Sequence, residues 1–152
     1  MTAITNALLS TTTYEWTEHP YSAEERTEWV KNQEVAGRPV LVADDEGEVV
    51  GWTSYGDFRD SALRPGYRFT VENSIHVGES QWGRGIGWLL MSSLIDHARS
   101  DGKRVMVAAI DSSNKGAIGF HTRLGFQEVA RMPGIGDKWG QRLDLVLMQK
   151  ML

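Results

Sequence analysis

The sequence predicts a single α/β domain of the α+β type, a mixed sheet covered by helices. Three observations carry that prediction. A chain of 152 residues is long enough for one such core and too short for two. Short runs of β-branched, aromatic and other apolar residues, set off by turn residues, read as strands, and between them lie segments whose apolar residues recur at three- and four-residue intervals. One strand, 104–110 (RVMVAAI), is apolar on both faces, as an interior strand must be.

From the N-terminus, residues 2–10 (TAITNALLS) have the character of the last turns of a helix, and the polar stretch 11–20 reads as a loop. Ser22 followed by Glu25 makes a capping-box pattern, predicting a helix over 23–36 that ends at Gly37. The runs 39–43 (PVLVA) and 49–55, separated by DDEGE, form a hairpin, and a loop over 56–65 leads into a third strand at 67–77 (YRFTVENSIHV). A glycine-rich turn follows, then Ile86, Leu89, Leu90, Leu94 and Ala98 on one face of a helix over 85–100 that Gly102 closes. After the interior strand, Lys115–Leu124 is a short helix ended by Gly125, and two strands at 126–131 and 142–149 are joined by a Gly-rich loop.

Composition narrows the function. Hydrophobic residues at 41% and charged residues at 24% describe a folded chain, and a formal charge of −4 gives nucleic acid no electrostatic reason to bind. No run approaches the roughly 18 to 20 apolar residues that span a bilayer, and the N-terminus has no basic-then-apolar leader, so a soluble cytoplasmic protein is the expectation. The absence of cysteine excludes disulfides, thiolate metal sites and a cysteine-bound acyl intermediate. His19, His76, His97 and His121 show no paired spacing, so no metal site is expected.

The turn Gln81-Trp82-Gly83-Arg84-Gly85-Ile86-Gly87 lies between a strand and a helix. Its unpaired amides, the helix dipole and Arg84 would together favour an anion such as a pyrophosphate. A tight glycine turn without a ligand is the competing reading. The Gly-Lys-Ser/Thr ending of a nucleotide-hydrolysing loop and the third glycine of a dinucleotide fingerprint are both missing. Among the tryptophans, Trp29 and Trp52 sit in periodic elements and belong in the core, whereas Trp16 and Trp139 fall in loops that could border a ligand.

The segment Gly83–Gly87 opening a helix, followed by an interior strand and then Asn114-Lys115-Gly116-Ala117-Ile118-Gly119-Phe120-His121-Thr122-Arg123-Leu124-Gly125-Phe126, resembles the GNAT superfamily of acetyltransferases. More narrowly, Ser54–Arg59, Thr70–Val77 and His121 resemble the phosphinothricin and methionine sulfone/sulfoximine N-acetyltransferases. The resemblance implies a mostly antiparallel twisted sheet with a splayed central strand pair, open where the Glu72 strand parts from the Val107 strand. It implies acetyl-CoA as co-substrate, a primary amine of a small amino-acid-like molecule as acceptor, and a homodimer. Coenzyme contacts would come from Ile75, His76, Val77, Gly83, Arg84, Gly85, Ile86, Gly87, Trp88 and Asn114. Two departures stand out: Trp82 replaces the usual arginine or glutamine, and the first strand and most of the first helix of the family are missing, as in a truncated start.

An ammonium must lose a proton before it attacks a thioester, so the site needs a base that works near neutral pH. Glu72, in a strand among apolar neighbours, is the candidate base, against the alternative of a solvent-facing carboxylate. His121 shares a helical face with Ala117, Ile118 and Leu124; the resemblance gives it acid/base or ligand-positioning duty, where an isolated histidine would be structural. A backbone N–H near Val77 is the expected oxyanion donor. Arg59 is the candidate clamp for a substrate carboxylate, with Asn73 and Ser74 lining the same cleft. Two other readings stay open: transfer to another amine, such as a peptide N-terminus, a polyamine or an aminoglycoside, and a non-catalytic acetyl-CoA sensor.

Overall fold

The computed structural model describes residues 1–152. The elements run α1 (Thr2–Thr11), α2 (Ala23–Val35), β1 (Val40–Asp45), β2 (Glu48–Asp57), β3 (Thr70–Val77), α3 (Ile86–Ser100), β4 (Val105–Asp111), α4 (Lys115–Arg123), β5 (Gln127–Lys138) and β6 (Gln141–Met151). The expected mixed sheet is present, with six strands in the order β1-β2-β3-β4-β6-β5. Every neighbouring pair is antiparallel except β3 and β4. No helix is long and apolar enough to cross a membrane.

Local chemistry explains most boundaries. The Ser22 side chain accepts from the Glu25 amide while the Glu25 carboxylate accepts from the Ser22 amide at 2.7 Å, the reciprocal box that starts α2. Gly37, at φ +66°, supplies the left-handed residue that ends it. The third strand begins at Thr70 rather than Tyr67, because Pro65–Tyr67 form a single 3₁₀ turn closed by Tyr67 N–H to the Arg64 carbonyl. Proline's fixed φ suits the first position of such a turn. The segment expected as a Gly-rich loop is strand: β5 runs on to Lys138, absorbing Pro133 and Gly134 in a register shift between Met132 and Gly136. An edge strand tolerates the missing proline N–H and the bulge. The actual turn is Trp139-Gly140, both at positive φ.

The main core lies between α3 and the sheet. Met91, Leu94 and Ala98 are fully buried against Tyr55, Val71, Met106 and Ala108, and burying a Leu or Met side chain contributes about 1.5–3 kcal/mol each. Leu89, expected on this face, points to solvent at 68% exposure. On the opposite face α2 sets Trp29 edge-on against buried Trp52, with ring centroids 5.5 Å apart.

The connection between α1 and α2 is pinned from across the sheet. Lys138 is 1% exposed, and its ammonium donates to the carbonyls of Leu9, Thr12 and Glu15 at 2.7, 2.8 and 2.7 Å. It thus caps the C-terminus of α1, where unpaired carbonyls and the helix dipole favour a cation. Trp16 lies over Gly136, where an added Cβ would sit 2.5 Å from the indole.

Candidate active site

The site follows from how the one parallel pair ends. β3 and β4 are in register only from Thr70↔Val105 to Glu72↔Val107. Beyond Glu72, β3 stays with β2 as far as Val77 and β4 stays with β6 as far as Asp111, so the two part. The split expected from the sequence is there. It forms a slot of about 250 Å³ whose walls include Asn73 and Ile75 on one side, Ala108–Asp111 on the other, and Asn114, Ala117 and His121 of α4.

Alternation along β3 assigns its side chains to two faces. Val71 belongs to the α3 core and the Asn73 amide reaches the Met91 sulfur at 3.7 Å, so Glu72, Ser74 and His76 face the α2 side. There a second, polar cleft of about 580 Å³ lies between α2 and the β2–β3 ladder, walled by Trp29, Gln33, Arg38, Ser54 and Asp57 among others. Glu72 and Ser74 line both cavities. Burial pushes the Glu72 carboxyl up from the ordinary glutamate range, with the nearby Arg59 guanidinium acting in the opposite direction. The carboxylate stands at the junction of the two cavities.

At the far end of β3 the glycine turn is open. Gly83 and Gly85 have φ of +79° and +83°, and a Cβ on either would meet nothing within 4 Å. Gly85 is the N-cap of α3 and provides no side-chain cap, so the first amides of the helix have no capping side chain to bond. Gly87 is closed in, 3.4 Å from the Phe120 ring and 3.8 Å from Ile75 measured from an ideal Cβ. Arg84 lies 3.6 Å from the Asp45 carboxylate and also bonds Gln81. Trp82 and Trp88 are about half exposed on either side of the turn, and the Trp82 indole donates to the Val77 carbonyl at 2.9 Å. Asn114 caps α4, its Oδ1 accepting from the Ala117 amide at 2.9 Å, which commits its oxygen to the helix.

His121 is 3% exposed. Its Nδ1 lies 2.9 Å from the Ala117 carbonyl, which can only accept, so Nδ1 carries the proton and Nε2 the lone pair. Its Nε2 lies 3.2 Å from the Asn73 amide nitrogen, and burial lowers the imidazole's pKa while the hydrogen bond to Ala117 acts in the opposite direction. The ring is thus held between the Ala117 carbonyl and the Asn73 side chain. Both duties expected for it, acid/base and ligand positioning, are compatible with this setting.

Other expected residues fall differently. Arg59 is exposed, stacks on Phe58 at 5.1 Å and reaches the site through its charge on Glu72 rather than as a wall. His76 is among the walls of the slot, stacked on Trp52 at 4.4 Å and bonded to Glu15 at 2.6 Å. The Trp16 indole donates at 3.3 Å to Asp111, a buried wall of the slot. Sequence reasoning passed over Gln33, Arg38, Ser54 and Asp57, and also Tyr14, Glu15 and Asp111 in the slot. The one available signal was Ser54, a polar residue at an otherwise apolar position of β2. No group of three or more His, Asp or Glu side chains is arranged to hold a metal ion.

Known proteins are similar to this chain in sequence and fold. Residues 1–126 match the acetyltransferase (GNAT) family. The L-methionine sulfoximine/L-methionine sulfone acetyltransferase of Pseudomonas aeruginosa is 45% identical over 148 residues, spanning 97% of this chain and 84% of that protein. The phosphinothricin N-acetyltransferase of Alcaligenes faecalis is 34% identical over 118 residues, 77% of this chain and 58% of that protein. The structure of yncA, a putative acetyltransferase from Salmonella typhimurium with its cofactor acetyl-CoA, superposes with a TM-score of 0.93 at 41% identity, covering 99% of this chain and 86% of that one.

Proposed function

The chain belongs to the GNAT family of acetyltransferases, and we propose that it transfers the acetyl group of acetyl-CoA directly to the primary amine of a small amino acid of the methionine sulfone, methionine sulfoximine or phosphinothricin kind. One observation carries the reading: Glu72, its pKa raised by burial, stands where the slot between β3 and β4 meets the polar cleft. The names of the relatives supply the acceptor class.

Acetyl-CoA supplies the activated acyl group as a thioester. The residues present fit it: the amides at the start of α3, which no side chain caps, and the Arg84 guanidinium suit a pyrophosphate, and the slot walled by Ile75, Ala108 and Asn114 suits a narrow pantetheine arm. From the opposite cavity the ammonium of the acceptor meets Glu72, which takes its proton and leaves a nucleophilic amine. Arg59 balances the acceptor's carboxylate from the rim. Asn73, held by His121, forms the wall beside the reacting groups, and a backbone N–H near Val77 serves the oxyanion. Holding both reactants at one junction supplies much of the rate by proximity.

The test is thiol release from acetyl-CoA with methionine sulfone, methionine sulfoximine, phosphinothricin, common amino acids, spermidine and a peptide N-terminus. A protein without cysteine adds no thiol of its own to the assay. Turnover on the first three supports the reading; turnover confined to spermidine or the peptide refutes the acceptor class, and tight acetyl-CoA binding without turnover refutes catalysis.

A further inference from the structure

The parallel pair stops although both of its strands run on. β3 keeps an unbroken register with β2 from Val71 to Val77, and β4 with β6 from Val105 to Asp111, so no bulge bends either strand away from the other. Past Glu72↔Val107, residues 73–77 and 108–111 face each other across the slot as two edges without a strand partner. Such edges pair wherever they can approach. Something built into the fold must hold them apart.

Residues 13–16, between α1 and α2, bond to both edges. The Glu15 carboxylate lies 2.6 Å from Nε2 of His76 on β3. The next residue, Trp16, donates its indole N–H at 3.3 Å to the Asp111 carboxylate at the end of β4, and the Thr13 hydroxyl lies 3.5 Å from that of Ser113 just beyond it. His76 and Asp111 are both buried, so these attachments are made in the interior, where a lost partner is costly. Tyr14 and Glu15 stand among the walls of the slot itself. The segment thus spans the split from strand to strand.

It is seated from outside the slot. Lys138 on β5 holds the Glu15 carbonyl together with those of Thr12 and Leu9. The Trp16 ring rests on Gly136 of the same strand, where one added methyl group would fall 2.5 Å from the indole. Neither Lys138 nor Gly136 lines the slot. Resting on the acetyl-transfer reading above, we propose that residues 13–16 are a brace that keeps β3 and β4 apart for the coenzyme's arm, and that Lys138 and Gly136 are positioning residues that seat it. Without the brace the two edges approach, and acetyl-CoA must bind against that closure. Its apparent affinity then falls in proportion to the fraction of molecules that stay open, while the chemistry in the filled slot is unchanged.

The experiment measures the Kd of acetyl-CoA by calorimetry, with KM and kcat alongside. Gly136 is not in the left-handed region, so Gly136→Ala adds a methyl group beneath Trp16 without backbone strain. Kd and KM for acetyl-CoA should rise about tenfold, the effect of an open fraction reduced to about a tenth. The kcat at saturation should stay within about threefold of wild type, since only binding is taxed. Trp16→Ala removes the ring and its bond to Asp111 and should raise Kd similarly; adding Gly136→Ala to it should change Kd no further, because both act through one contact. Lys138→Met should raise Kd in the same way, and the two other variants decide the matter should it fail to fold. An unchanged Kd in Gly136→Ala, a loss in kcat rather than in KM, or additive effects of the two substitutions would overturn the brace. Wild type that binds acetyl-CoA yet turns over no amine would overturn acetyl transfer and leave the brace to be judged by Kd, whereas wild type that does not bind acetyl-CoA would overturn both.

Discussion

Replacing Glu72 by glutamine separates chemistry from folding. The two side chains have nearly the same shape, and the Glu72 carboxylate lacks any hydrogen bond within the protein; its surroundings are burial and the Arg59 charge. The substitution therefore breaks no hydrogen bond; it removes the proton acceptor together with its charge interaction with Arg59. General-base catalysis contributes about 10²- to 10⁴-fold, equivalent to roughly 3–5 kcal/mol of barrier, and kcat should fall by that factor at pH 8. The deficit should shrink at acid pH, because wild-type Glu72 is itself protonated once the pH drops below its raised pKa. Stability should move the other way. A carboxyl whose pKa is higher in the fold than in the unfolded chain contributes its stabilisation only while protonated; that contribution is complete below the unfolded pKa and lost as pH rises through the folded one. At pH 7 the glutamine variant, which carries no charge to desolvate, should melt above wild type and lose that advantage as the pH falls. The assays are steady-state thiol release over pH 5–9 and thermal unfolding across the same range. A variant that keeps more than about a tenth of wild-type kcat at pH 8, or that melts below wild type at pH 7, would refute the assignment of Glu72 as a buried base.

Other substitutions test the surroundings of that group. Arg59→Gln removes the charge that lowers the Glu72 pKa, so the acid limb of the kcat/KM profile should move to higher pH; an unmoved limb would mean Arg59 does not act on Glu72. Asn114→Ala removes the α4 cap, costing about 1 kcal/mol in urea unfolding, and should raise KM for acetyl-CoA more than KM for the amine. Lys138→Met strips three carbonyls of a charged donor; at about 1–3 kcal/mol for each carbonyl left unpaired in the interior, the midpoint in urea should fall sharply, and limited proteolysis should open the chain between α1 and α2.

How far the sequence could be read depended on the distance over which each feature is decided. The capping box of α2, the β1–β2 hairpin, the amphipathic face of α3 and the glycine turn before it are settled by residues within a few positions of one another, and all were legible. Where an element depended on its neighbours, reading failed: nothing local in Pro133-Gly134 tells a loop from a bulge in an edge strand, and Leu89 fits the helical stripe yet lies beyond the area the sheet covers. The sequence marked Glu72 and His121 as chemically suggestive residue types. Only the tertiary structure decided what they meet. Asn73 and His121 are 48 positions apart, Glu15 and His76 are 61 apart, and Lys138 reaches carbonyls more than 120 positions away. Gln33 and Ser54 share a wall because α2 packs across β2, which no periodicity in either segment encodes. The residue types that can move a proton or bind a phosphate are written in the chain, but a base needs desolvation, a histidine needs a partner to fix its proton, and a pocket needs facing walls. Each of those is a property of packing between strands and helices remote in sequence.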